Sequence, residues 1–175
     1  MSKKILFTSF TTWLPNQKSN SSDDLLQEIQ NPCEALRARL RYRNSFLRQL
    51  PVDIELASKS AISKIAELQP DIIICCGMAE SRSQLTIEAK ASDRDDILNT
   101  QVDLLSLIAG IDGIEISYDA GKFVCEGLYY SVLKHLQTSP LSSQCIFAHI
   151  PILSPDNLTA VKNLFLTVVQ RLTFV

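Results

Sequence analysis

The stretch Asp71-Ile72-Ile73-Ile74-Cys75-Cys76-Gly77 constrains this chain more than any other. Its apolar run is unbroken, so neither face of the strand it forms can look at water. Such a strand belongs in the middle of a sheet with helices above and below it. Pro70 and Gly77 punctuate its two ends.

The neighbouring chain repeats the theme. Lys3–Phe10, with Ile5-Leu6-Phe7 continuous, predicts another buried strand, and Ser21-Ser22-Asp23-Asp24 opens a helix after a polar loop. Phe46–Val52 reads as a strand ending at Pro51. Ala57, Ala61, Ile62, Ile65, Ala66 and Leu68 fall at helical spacing before Pro70. Beyond the central strand come a loop over 78–83, an alternating strand over Gln84–Ala91, and a turn or helix start at Asp93–Asp96. A short helix over Val102–Ile111, strands over Ile114–Tyr118 and Gln144–Ile150, and a closing helix over Asn157–Leu172 complete the pattern. Strands alternating with helices predict a three-layer α/β/α sandwich with a mostly parallel central sheet. At 175 residues, one domain over 1–175 is expected, and 46 % hydrophobic against 21 % charged residues is enough for a sizeable core.

Composition also removes function classes. A net charge of −2 offers no electrostatic footprint for nucleic acid or for a membrane surface. Five arginines lie between Arg37 and Arg48, and this acidic balance favours a solvated face over a phosphate patch. No apolar run has membrane-span length, and Ile5-Leu6-Phe7 is too short for a signal peptide, so the cytoplasm is the expected compartment. The cysteines Cys33, Cys75, Cys76, Cys125 and Cys145 are odd in number and lack CxxC spacing. They predict reduced thiols rather than a disulfide framework or a zinc site. There is neither GxGxxG nor GxxxxGK[ST], and the chain calls for no cofactor and no metal.

One cysteine stands apart. Asp119-Ala120-Gly121 ends the strand over Ile114–Tyr118, and from Phe123 the apolar positions follow helical spacing. Cys125 therefore lies in the first turn of a helix, where unpaired N–H groups and the dipole favour a thiolate. His149, at the end of its own strand, is a candidate base for it, and Glu88 a candidate third group. Bland readings stand beside these: a small buried cysteine, a satisfied interior histidine and, for Glu88 taken alone, a solvated strand face.

Three separated segments resemble the pyroglutamyl-peptidase I family, the pyrrolidone-carboxylate peptidases. They are Pro70–Glu88, Ser117–Cys125 with its Phe123-Val124-Cys125, and Phe147-Ala148-His149-Ile150-Pro151. The resemblance implies Cys125 as nucleophile, His149 as general base and acid, and Glu88 as the third member. It implies that Phe10 and Trp13 sandwich a lactam ring, with Met78 at a pocket position. The implied reaction removes an N-terminal pyroglutamate from a blocked peptide through a thioester, and relatives of this kind are often homo-oligomers. The chain departs from the family at Leu14-Pro15, where glycines are usual, and at Met78, Glu80 and Ser81 in its Gly77–Arg82 segment. Glu126 replaces an asparagine, and a carboxylate there would tend to raise the thiol pKa. A family segment before the cysteine strand is also missing. Two rivals follow: a related thiol amidase acting on another cyclic or acylated amine, and a non-catalytic binding protein that has kept the fold.

Overall fold

The structure, a computed structural model, describes residues 3–30 and 43–174. Cys33 and most of the arginine-rich stretch lie outside the described residues.

The sheet grows outward from the apolar run. Strand β1 (Lys4–Phe10) pairs in parallel with β2 (Arg43–Leu50) on one side and with β3 (Ile72–Met78) on the other. Beyond β3 lies β8 (Gln144–Ile150), in register from Ile72↔Gln144 to Met78↔Ile150. Strands β4 (Leu85–Glu88) and β7 (Ile114–Ser117) complete the order β2-β1-β3-β8-β4-β7. They are parallel to each other, but β4 runs antiparallel to β8.

Alternation along β3 divides the core in two. Ile72, Ile74 and Cys76 face a layer built by helices α1 (Ser21–Gln30) and α5 (Leu158–Leu172), which contribute Leu25, Leu26, Phe165 and Val168. Ile73 and Cys75 face the opposite layer, where α2 (Ile54–Leu68) and α4 (Val124–Thr138) bring Ala61, Ile65, Leu128 and Val132. The three-layer α/β/α sandwich with its mostly parallel sheet is thus the observed fold. A short helix, α3 (Leu104–Ile108), packs with the first layer. No helix among the described residues is long and apolar enough to cross a membrane.

Local chemistry explains most boundaries. The Asp53 side chain accepts the Leu56 N–H and starts α2, while Gln69 ends it in the left-handed region at φ 47 just before Pro70. Strand β2 begins three residues before the expected Phe46 because Arg43 pairs beside Lys4. The strand expected over Gln84–Ala91 stops at Glu88. Ala89 donates to the Ser117 carbonyl (2.7 Å), and the chain then leaves the sheet as a hairpin of β5 (Lys90–Asp93) and β6 (Asp96–Asn99). Asp93–Asp96 is accordingly a turn, with Arg94 at φ 55.

Candidate active site

Phe10, Met78 and His149 come to one edge of the sheet because each stands at the carboxyl end of its strand or one residue before it. This is where open α/β sheets place their ligands. Cys125 reaches the same edge from the first turn of α4. All four line a cavity of about 410 Å³, together with Trp13 and Arg82.

The backbone sets the position of Cys125. A Cβ built on Gly77 would come within 2.6 Å of Cys125 Sγ and 2.9 Å of Phe147 Cζ, so only glycine lets the sulfur lie so close to the β3 backbone. Gly77 pairs with His149 across β3–β8. The sulfur therefore stands beside the strand position that carries the imidazole. The His149 ring is held from below by Phe147, with ring centroids 4.8 Å apart.

Glu88 reaches His149 because β4 runs against β8. Thr86 faces His149 and Glu88 faces Phe147, one step deeper on the same side of the sheet. His149 Nδ1 lies 2.6 Å from Glu88 Oε1. Glu88 is fully buried, 0 % exposed, which overturns the solvated strand face expected for it alone. Burial pushes its carboxyl pKa upward. The bonds to His149, Ser117 and Arg82, with the His149 charge, outweigh that and leave it below the usual value. An ionised Glu88 can only accept, so Nδ1 carries a proton toward it and Nε2 is the nitrogen left for the cavity.

Sequence reasoning did not single out Arg82, although it stands in the Gly77–Arg82 segment. Its guanidinium donates to Glu88 Oε1, to the Thr86 hydroxyl, to Ser117 Oγ at 3.2 Å and to the Asp119 carbonyl at 2.7 Å. One cation thereby compensates the buried carboxylate and ties the loop after β7 to β4. Its place four residues before Thr86 and six before Glu88 was the available signal, since it lets one side chain follow the strand it precedes.

The sulfur itself corrects an expectation. Burial above all, then the Glu88 charge and Cys75, push the Cys125 thiol up to about 12, against which Arg82 gives partial relief. That direction favours the thiol and opposes the pull of the helix terminus toward a thiolate. Glu126 is not among the groups acting on it: Oε1 accepts from Ser92 N at 3.1 Å and Ser92 Oγ at 2.6 Å, which turns the carboxylate toward β5. No side chain caps the start of α4, so the amides of its first turn keep free N–H groups.

The aromatic and pocket positions divide by depth. Phe10 is 2 % exposed and forms the cavity floor, whereas Trp13 is 55 % exposed at the rim. Trp13 packs at a tilt of 50° against Phe123, the N-cap of α4, with centroids 5.2 Å apart. No ring pair joins Phe10 and Trp13 among the described residues. Met78 lines the cavity while its sulfur accepts the Ser21 N–H at 3.4 Å, holding the start of α1. Among the described residues no group of three or more His, Cys, Asp and Glu side chains could hold a metal ion.

No family model matches the sequence. A pyrrolidone-carboxylate peptidase of Thermoanaerobacter pseudethanolicus is 26 % identical over 176 aligned residues, spanning 86 % of this chain and 83 % of that protein. A Bacillus cereus protein of the same name is 30 % identical over 132 residues, 61 % of each chain. Among solved structures, pyroglutamyl peptidase I from Bacillus amyloliquefaciens superposes with a TM-score of 0.76 at 21 % identity, over 99 % of this chain and 94 % of that one. Pyrrolidone carboxyl peptidase from Thermococcus litoralis gives a TM-score of 0.76 at 18 % identity, over 97 % and 92 %. The chain thus has the fold of pyroglutamyl peptidase I, and its resemblance to the pyrrolidone-carboxylate peptidases extends along most of its sequence.

Proposed function

We propose that this protein is a cysteine peptidase that removes an N-terminal pyroglutamyl residue from blocked peptides. The observation that carries the reading is the 2.6 Å bond from His149 Nδ1 to a buried, ionised Glu88, with Cys125 beside His149 in the same cavity. His149 Nε2 accepts the thiol proton as Cys125 Sγ attacks the amide carbonyl that follows the lactam ring. The developing oxyanion takes hydrogen bonds from the uncapped amides of the first turn of α4. His149 returns its proton to the leaving amine, and the C–N bond breaks to give a thioester. Water attacks the thioester with His149 again as base, releasing pyroglutamate and the free thiol. Glu88 stabilises the imidazolium at each transfer, and Arg82 keeps Glu88 ionised and in place. The apolar floor at Phe10 suits a neutral ring and penalises a charged N-terminal amine, which would lose its hydration without a partner.

Hydrolysis of a fluorogenic pyroglutamyl amide, run beside Cys125→Ala, tests this. Turnover is expected in the wild type, with a loss of at least about 10³-fold in the variant. No turnover from a folded wild-type protein would overturn the pyroglutamyl substrate. Equal turnover in Cys125→Ala would overturn the nucleophile.

A further inference from the structure

The cavity is graded from an apolar floor to a rim that is aromatic and anionic. Its floor is Phe10, Ala120, Val124 and His149, all buried, while Trp13, Glu80, Asp119 and Phe123 are exposed around its mouth. Cys125 sits between the two levels. An acyl group attacked by Cys125 fills the floor, so the leaving residue must pass over the rim. The rim charges are unbalanced. Among the described residues neither Glu80 nor Asp119 has an ion-pair partner. Arg82 is consumed by Glu88, Thr86, Ser117 and the Asp119 carbonyl, and Lys122, between Gly121 and Phe123, lines the neighbouring cavity with Asp93 and Glu126. The same lining carries Trp13 and Phe123, half exposed and tilted against each other, whose rings offer aromatic surface to a cation or to its methylene stem.

We infer that this rim selects the residue after the scissile bond, favouring a cationic side chain, with Glu80 as its specificity-determining residue. The inference rests on the pyroglutamyl reading of the same cavity. Each carboxylate at a half-solvated rim changes the local concentration of a unit charge by roughly three- to tenfold at low salt, with opposite sign for an anion. The lysyl substrate should therefore exceed the glutamyl one by roughly tenfold or more in kcat/KM.

Two readouts separate this inference from the reading beneath it. The first is kcat/KM for pyroglutamyl-lysine, -alanine and -glutamate amides on the wild type, Glu80→Gln and Glu80→Lys, at low and high salt. The expected order is Lys above Ala above Glu. Glu80→Gln compresses the series, Glu80→Lys reverses it, and salt flattens it. The second needs no turnover: it is the rate at which Cys125 is modified by trimethylammonioethyl and by sulfonatoethyl methanethiosulfonate, each divided by the rate with 2-mercaptoethanol. The cationic reagent should be favoured, with a ratio that falls several-fold in Glu80→Gln and inverts in Glu80→Lys. A flat peptide series, or a reagent ratio indifferent to Glu80, overturns the rim assignment. If no pyroglutamyl amide is cleaved, the substrate reading fails and the reagent ratio alone decides the rim.

Discussion

A thiol pushed up to about 12 by burial and by the Glu88 charge stores its proton until something takes it. Under the proposed mechanism the removal of that proton is coupled to attack rather than completed beforehand. In the free protein, alkylation of Cys125 by iodoacetamide should accelerate about tenfold per pH unit through pH 10, because the thiolate population keeps growing. A plateau at or below about pH 8 would show a pre-formed thiolate and overturn this resting state. The position of Cys125 at a helix start was readable in the sequence. Its protonation was not, because the burial that raises it comes from β3, β8 and Glu88, all distant along the chain. Glu88 was opaque for a related reason. An acid in an alternating strand faces water unless a cation arrives, and Arg82 arrives only through its bonds to Ser117 and the loop beyond it.

At the scale of elements, the site depends on α4 lying directly on β3. Gly77 permits that approach, and Gly127 does the same on the other side of the helix, where a Cβ would come within 2.7 Å of Ile54 on α2. In Gly77→Ala the new methyl must displace Cys125 Sγ or the Phe147 ring. The expected outcome is a loss of about 10²-fold in kcat, a modest destabilisation of about 1–3 kcal/mol, and an unchanged far-ultraviolet circular dichroism spectrum. Activity within twofold of the wild type would show that the sulfur has room to spare. Elements governed by local chemistry were legible: Gln144–Ile150 forms as expected, and the closing helix begins one residue late, at Leu158. The β5–β6 hairpin was not. Gln84–Ala91 reads as one alternating strand, and its interruption after Glu88 depends on where the Ser117 carbonyl lies in space. The contact of Trp13 with Phe123 was not legible, because it joins distant loops.

At the scale of the molecule, the two buried carboxylates among the described residues, Asp23 and Glu88, link stability to pH. Burial raises the Asp23 pKa, but Arg48, Ser9 and Gln49 outweigh it and hold the group below its ordinary value, as His149, Ser117 and Arg82 hold Glu88. Both groups stabilise the fold fully above their unfolded values and lose that contribution as pH falls through their lowered folded values. Asp23→Asn should cost about 2 kcal/mol near neutrality, and the difference from wild type should shrink below about pH 4. Unfolding midpoints in urea at a series of pH values check this. A difference independent of pH would assign the loss to packing.

The order of the sheet has a further consequence during synthesis. The strand β8, last to leave the ribosome, sits between β3 and β4, which never pair with each other. Until residues 144–150 exist, the nascent chain holds two unjoined half-sheets, with Cys125 already made and His149 still to come. The strand that closes the gap is the one that carries His149. Joining of the two half-sheets and delivery of His149 to the cavity of Cys125 are therefore a single event.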